Sequence, residues 1–280
     1  MTTPSQAITP PATGDIPRAG TIAPALSLCH RELVRFLRQR HRIIGALATP
    51  IVFWLLIGAG MNRSFKSDAP GGENYLHYFF PGTLLMILLF TAIFSTISVI
   101  EDRREGFLQG VLVAPVSRMS IVLGKVLGGT LLATGQGLIF LLLAPTVGIG
   151  LSITGFLLTL LTMFIVSFAL TAMGLAIAWR MTSTQGFHAI MNLFLVPLWF
   201  LSGALFPESG AWTGLRWLMW INPLRYELVA MRRALYWHEP GVATWLPGWG
   251  VSFGVSVLFA VLMFVVASSV AAGRTTADLE

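Results

Sequence analysis

Long apolar runs separated by short charged or glycine- and proline-bearing stretches set the rhythm of this chain. A helix needs about 20 apolar residues to cross the hydrocarbon core of a bilayer. Six runs meet that length, at 43–60, 78–100, 121–147, 152–179, 187–206 and 247–271. The link at 145–153 is short and uncharged, so the third and fourth runs pair as a tight hairpin. The pattern predicts an all-α integral membrane fold of six transmembrane helices, with no internal repeat.

The segments between the runs have their own patterns. Residues 1–23 are rich in Pro, Thr and Ala with no apolar period, and read as a disordered cytoplasmic tail. No apolar stretch of signal-peptide type follows the start. Residues 24–42 have helical spacing: Leu26, Cys29, Leu33, Phe36 and Leu37 share one face, and Arg31, Arg35, Arg38 and Arg42 the other. Such a helix lies in the membrane interface with its basic side toward anionic lipid; the alternative is a solvated charged face over protein. Before the last run, Asn222 and Pro223 form a helix start, in which Asn caps free N–H groups and Pro occupies the first turn. Leu224, Leu228, Met231 and Leu235 then line one side. Trp212, Trp217, Trp220, Trp237, Trp245 and Trp249 crowd this region, and Trp prefers the lipid–water boundary. Short interfacial or re-entrant helices are expected here. Residues 272–280 form a second tail.

Charge composition fits this reading. Of 280 residues, 55% are hydrophobic and 11% charged, against roughly 25% charged in soluble domains. The net charge of +6 does not indicate nucleic acid, because the basic residues flank apolar spans. With the N-terminus inside, 12 of the 18 Lys and Arg fall on inside segments. The excess of positive charge on that side places both termini in the cytoplasm. Cys29, the one cysteine, excludes an intrachain disulfide and a multi-cysteine metal site; it reads as a small apolar residue.

Candidate chemistry is sparse. His30, His41, His77, His188 and His238 are scattered, without metal-ligand spacing, so no metal site and no catalytic residue is assigned. His188 has no plausible catalytic partner. No phosphate-binding P-loop occurs, and Lys125 is expected to snorkel to the inner interface. Charges inside the spans are nearly absent, which argues against proton-coupled transport. Energy is expected to come from outside the membrane.

The densest charged motif, Glu101-Asp102-Arg103-Arg104-Glu105-Gly106, leaves the second span. Phe107, Leu108, Val111 and Leu112 give the following short helix an apolar side, and Pro115 ends it. A docking surface for a cytoplasmic partner and a plain polar loop both fit that spacing. The motif, with Leu112-Val113-Ala114-Pro115-Val116-Ser117-Arg118 after it, resembles the coupling-helix region of ABC-2 type transporter permeases. Phe200-Leu201-Ser202-Gly203-Ala204-Leu205-Phe206-Pro207 resembles the family's signature at the outer end of the fifth span. Asn222-Pro223-Leu224-x-Tyr226 resembles the N-P-x-x-Y element after it. The drug-efflux branch, of the daunorubicin-resistance permease kind, is the nearest in flavour.

The resemblance covers 24–271 and implies a transport subunit without its own ATPase site. ATP and Mg would bind a separate ATPase partner on the cytoplasmic side, and two permeases would pair as a homodimer in the bacterial inner membrane. Glu101, Asp102, Arg103, Arg104, Glu105, Gly106 and Pro115 are the expected coupling residues. Phe194, Pro197, Trp199, Phe200 and Phe206 are candidates for the substrate path or dimer interface, and Asn222, Pro223 and Tyr226 for the outer segment. Gly124 with Gly128, and Gly174 with Ala178, offer small faces for close helix packing. The expected function is export of a drug-like or lipid-like amphipathic compound. A polysaccharide or lipo-oligosaccharide permease is the alternative within the family; a secondary transporter and an intramembrane enzyme are the alternatives outside it.

Overall fold

Serine caps open three of the long helices. The computed structural model describes residues 21–61, 75–238 and 246–273, and all their regular elements are helical. In chain order these are α1 (Ile22–Arg38), α2 (Arg40–Met61), α3 (Tyr75–Ser95), α4 (Ile97–Arg104), α5 (Phe107–Val113), α6 (Arg118–Leu141), α7 (Ile153–Ala178), α8 (Thr184–Phe200), α9 (Thr213–Ile221), α10 (Pro223–Leu235) and α11 (Trp249–Ala272). Ser117, Ser152 and Ser183 accept hydrogen bonds from the N–H groups of Ser120, Gly155 and Gly186 at the starts of α6, α7 and α8. Each bond satisfies a donor that the helix itself cannot pair.

Among the described residues, five helices are long and apolar enough to cross a membrane: Ile43–Met61, Tyr75–Arg104, Arg118–Leu141, Ile153–Ala178 and Trp249–Ala272. The second runs through α3 and α4, with a local tightening at Thr96. There the Ser95 and Thr96 hydroxyls donate to the Ala92 and Ile93 carbonyls at 2.7 and 2.6 Å. Hydroxyls that bond back to the previous turn bend a helix. The expected run at 187–206 is a 17-residue helix, α8, which stops at Phe200. At about 1.5 Å per residue it rises roughly 26 Å, short of a straight crossing. Gly203, at φ +84°, turns the chain after it.

α3 is the central helix. Phe79, Phe80, Leu84, Leu85, Leu88 and Leu89 are fully buried against α2, α6 and α7. α11 lies on α7 and leaves Val251, Leu258, Val261, Leu262 and Val265 exposed, as an apolar helix at a lipid-facing edge would.

The first amphipathic element differs from its sequence reading in two ways. α1 ends at Arg38, with Gln39 as the break, so Arg42 belongs to α2 and not to the interface helix; its side chain lies outside the described residues. The side of α1 that packs on protein is Ala25, Leu28, Cys29, Glu32 and Phe36, while Leu26 and Leu37 are exposed. Gly124 and Gly128 of α6 explain the choice. A Cβ at Gly124 would stand 2.7 Å from the Ala25 carbonyl oxygen, and one at Gly128 would stand 2.8 Å from the Glu32 Cβ. α1 is therefore seated backbone-to-backbone on α6. Gly174 does the same for α7 on α3: a Cβ there would stand 3.1 Å from the Ile93 Cα. Most of both tails, 1–20 and 274–280, and Trp245 lie outside the described residues.

Candidate functional site

Where α4 leaves the bundle, one carboxylate gathers three cations. Asp102 is fully buried. It accepts hydrogen bonds from Arg31 Nη1 and Nη2 at 3.0 and 2.8 Å, from Arg35 Nη1 at 2.7 Å, and from Lys125 Nζ. Lys125 also donates to Glu32 at 2.6 Å and to Ser98 at 3.2 Å. Arg35 reaches Glu101 at 2.8 Å and Glu105 at 3.5 Å. Arg31, Arg35 and Lys125 thus balance the buried or half-buried Glu32, Glu101 and Asp102, with the largely exposed Glu105 at the edge. A buried ion is tolerated when its charge is matched and its hydrogen bonds are filled, and both conditions hold here. Arg31 also covers the Phe107 ring at 3.6 Å, which ties α1 to α5 through a cation–π contact. Its pairing with Asp102 holds the Arg31 guanidinium above its already high ordinary pKa.

Three sequence expectations are corrected here. Lys125 does not snorkel: only 5% of it is exposed, and its ammonium is held inward by Glu32 and Asp102. Asp102 cannot touch a partner chain, because it is the buried hub of the cluster. Arg31 and Arg35 also bond to this cluster, whereas Arg38 is exposed.

The remaining motif residues divide by exposure. Arg103 donates to the Trp179 and Met181 carbonyls at 2.7 and 3.1 Å, and Arg104 to the Thr182 carbonyl at 3.0 Å. These carbonyls end α7 and begin the loop to α8, where a cation complements the negative end of the helix dipole. Arg104, Glu105 and Gly106 are exposed, as are Gln109, Gly110, Val113 and Pro115. Gly106 has φ +76°, a left-handed conformation that costs side-chain-bearing residues roughly 1–2 kcal/mol. It permits the sharp change of direction from α4 to α5. α4 is thus bonded to α1, α6 and the α7–α8 loop, and α5 beyond it buries Leu108 while leaving Gln109, Gly110 and Val113 exposed.

Beside this elbow lies a cavity of about 550 Å³. Phe36, Pro50, Met86, Phe90, Phe94 and Ile97 give it apolar lining, and Thr49, Thr91, Ser95, Glu101, Thr184 and His188 add polar groups. His188 lies against Phe94 with ring centroids 4.7 Å apart. It serves as part of the wall. Sequence reasoning did not single out Phe90, Phe94 or this role of His188.

At the opposite end the helices are stapled together. Trp199 is buried against Phe53 and Phe79 and donates to the Gly82 carbonyl at 2.8 Å. This contradicts its expected place on an open route. Phe194, Pro197 and Phe200 are on the exposed side of α8. Phe206 lies beyond the helix and lines a second cavity, of about 370 Å³, with Ile57, Met61, Tyr75, Phe200 and Leu205. Asn222 joins two helix ends: its Oδ1 accepts from the Leu224 N–H at 3.0 Å, and its Nδ2 donates to the Leu198 carbonyl at 2.6 Å. Pro223 takes the first position of α10, and Tyr226 stands under the Arg225 guanidinium at 5.2 Å. Arg225 makes a two-pronged bond to Glu208 at 2.7 and 2.8 Å, and Arg232 covers the Tyr78 ring at 4.4 Å. Tyr75 and Tyr78 donate to the Leu205 and Gly203 carbonyls at 2.8 and 3.1 Å.

Among the described residues, no group of His, Cys, Asp and Glu could hold a metal ion. Cys29 is buried, and burial raises its thiol pKa, which makes it unreactive.

Comparison with known proteins gives a consistent picture. Residues 25–236 match the ABC-2 type transporter family. A putative transport permease, ycf38, of Cyanophora paradoxa is 26% identical over 214 residues, which is 76% of this chain and 73% of that one. A probable multidrug ABC transporter permease, YbhR, of Escherichia coli K12 is 30% identical over 160 residues, 55% of this chain but only 42% of the relative. Nodulation protein J of Sinorhizobium fredii is 26% identical over 226 residues, 79% of this chain and 82% of its own.

Proposed function

Because the chain belongs to the ABC-2 type transporter family, we propose that it is the permease subunit of an ATP-driven exporter that moves an amphipathic, drug-like or lipid-like compound outward across the bacterial inner membrane. In this reading six helices cross the membrane, α8 being the short one, and both termini are cytoplasmic. The α4–α5 elbow faces the cytoplasm, and the α9–α10 helices face outward. Two permeases pair, and ATP and Mg bind separate ATPase subunits.

The observation that carries the reading is the cavity beside the elbow. Its volume, about 550 Å³, lies in the range of small-molecule pockets. Its aromatic and aliphatic lining offers an apolar body burial at about 25 cal/mol per Å², and Glu101 of the elbow motif is one of its polar lining residues. Phe36, Phe90, Phe94 and Met86 beside a set of hydroxyl, imidazole and carboxyl groups suit a compound with both an apolar body and a polar group, which is what supports an amphiphile here.

Drive would reach the cavity through α4. Arg104, Glu105, Gly106 and Pro115 are the exposed residues for contact with the ATPase. Arg31, Arg35, Asp102 and Lys125 transmit the push to α1 and α6, and Arg103 transmits it to the start of α8, whose His188 is part of the cavity wall.

Fluorescent amphiphile uptake into inverted vesicles that hold the chain with its co-purified ATPase tests this reading. Phe90→Ala and Phe94→Ala should lower apparent affinity for the compound by roughly tenfold, the effect of losing one to two buried-aromatic contacts, with membrane insertion intact. Unchanged uptake in both variants, or preference for an oligosaccharide over every amphiphile, would overturn the assignment of the cavity.

A further inference from the structure

Glu227 stands apart from the charges described above. It lies on α10, is 0% exposed, and neither carboxyl oxygen has a hydrogen-bond partner among the described residues. α10 packs on α11, α7, α3 and α9. Its Ala234 carbonyl oxygen lies 3.0 Å from where a Cβ on Gly155 of α7 would stand. Glu227 precedes Ala234 by two helical turns and so shares its α7-facing side.

The surrounding charges are turned elsewhere. α7 and α11 carry no titratable side chain. α3 offers Tyr75, His77 and Tyr78. The two tyrosine hydroxyls donate to the Leu205 and Gly203 carbonyls, and the His77 ring stacks on Tyr236 at 4.8 Å. From α9, Arg216 donates to the Ala211 carbonyl at 3.2 Å. On α10 itself, Arg225 holds Glu208, Tyr226 lies under Arg225, Arg232 covers Tyr78, and Arg233 donates to the Leu246 carbonyl at 2.6 Å. An ionised carboxylate left without cation or donor in such packing costs several kcal/mol, whereas the neutral acid costs far less.

We propose that Glu227 is a proton-binding site: the protonated carboxyl lets α10 dock on α7 and α11, and loss of that proton loosens the α9–α10 cap. The orientation proposed above adds that the cap, and hence the exchangeable proton, faces the outside. α10 lies outside the five candidate spans, and burial alone raises the Glu227 carboxyl well above the ordinary carboxylate range. The sign follows from the raised value. The folded chain binds a proton that the unfolded chain has released, so stability is complete below the ordinary Glu pKa of about 4.3. It then falls as pH rises, until the folded-state pKa is passed.

The test uses the full chain in lipid nanodiscs and needs no partner subunit. Thermal unfolding is followed against pH for the wild type, Glu227→Gln and Glu227→Met. The infrared band of protonated carboxylic acid is recorded on the same samples. The wild type should show that band at neutral pH and both variants should lack it. Relative to either variant, the wild-type unfolding constant should rise about tenfold per pH unit within the window, the linkage expected of one proton. A wild-type chain without the band at neutral pH, or variants with the same pH profile as the wild type, would overturn the proposal. Because transport is not measured, either result leaves the exporter reading to stand or fall on its own assay.

Discussion

Replacing Asp102 by Asn keeps the shape of the side chain and removes its charge. In the structure that carboxylate accepts four bonds from three cations, Arg31, Arg35 and Lys125. The amide retains one acceptor oxygen and turns two N–H donors toward groups that are themselves donors. At least two charge-assisted bonds are lost, each worth about 1.5–3 kcal/mol. Arg31, Arg35 and Lys125 also lose the one carboxylate that all three share. The expected destabilisation is about 3–5 kcal/mol, the range seen when one partner of a buried ion pair is removed. Thermal unfolding of the purified chain in nanodiscs, followed by tryptophan fluorescence, reads the loss. Lys125→Met provides the second edge of a double-mutant cycle. It removes one of the stranded cations, so Asp102→Asn with Lys125→Met should be less damaging than the sum of the two by 1 kcal/mol or more, at the lower end of couplings within one network. A loss under about 0.5 kcal/mol, as for an ordinary surface site, or strict additivity, would refute the account of Asp102 as the hub.

Other consequences follow from close approach and capping. Gly124→Val would drive a side chain into the Ala25 backbone of α1, where even a Cβ stands at 2.7 Å. Overpacking of about 1–3 kcal/mol should make α1 susceptible to limited proteolysis while α11 stays protected. Asn222→Ala removes the cap of α10 and the donor to Leu198 together; a loss of about 1–2 kcal/mol should appear as faster amide exchange at both the start of α10 and the end of α8. Exchange raised at only one of the two ends would show that the joint is not shared.

Much of the bundle was legible because lipid imposes a simple rule on sequence. Five apolar runs became helices, four of them within a few residues of their expected ends, while the third stops at Leu141, six residues before its expected end. Asn222 and Pro223 marked the start of α10 through local chemistry alone. α8 fell short because the apolar run continues past Phe200, while its end is set by the Gly203 turn and by an Asn222 side chain from another element. Periodicity also misjudged α1. It grouped Leu26 and Leu37 with Phe36, and it could not see that two glycines on α6 would choose the face that packs. The buried Glu32–Lys125 pair left a trace that went unused: Lys125 is the lone charge inside its apolar run, and Glu32 an acid on an otherwise basic helix. Such a matched pair of misfits signals contact. Glu227, in contrast, resembles any polar residue on a short helix, and its isolation depends wholly on what α7 and α11 place around it.

Transport per ATP hydrolysed most directly tests the claim that force enters through the elbow from another chain. The purified permease should move no compound into liposomes by itself, with or without ATP, and should do so once its ATPase subunit is added. In that complex Arg104→Ala and Glu105→Ala, which change the exposed end of the motif, should lower transported molecules per ATP at least several-fold while hydrolysis continues. Transport by the permease alone, or a ratio unchanged in both variants, would contradict the account.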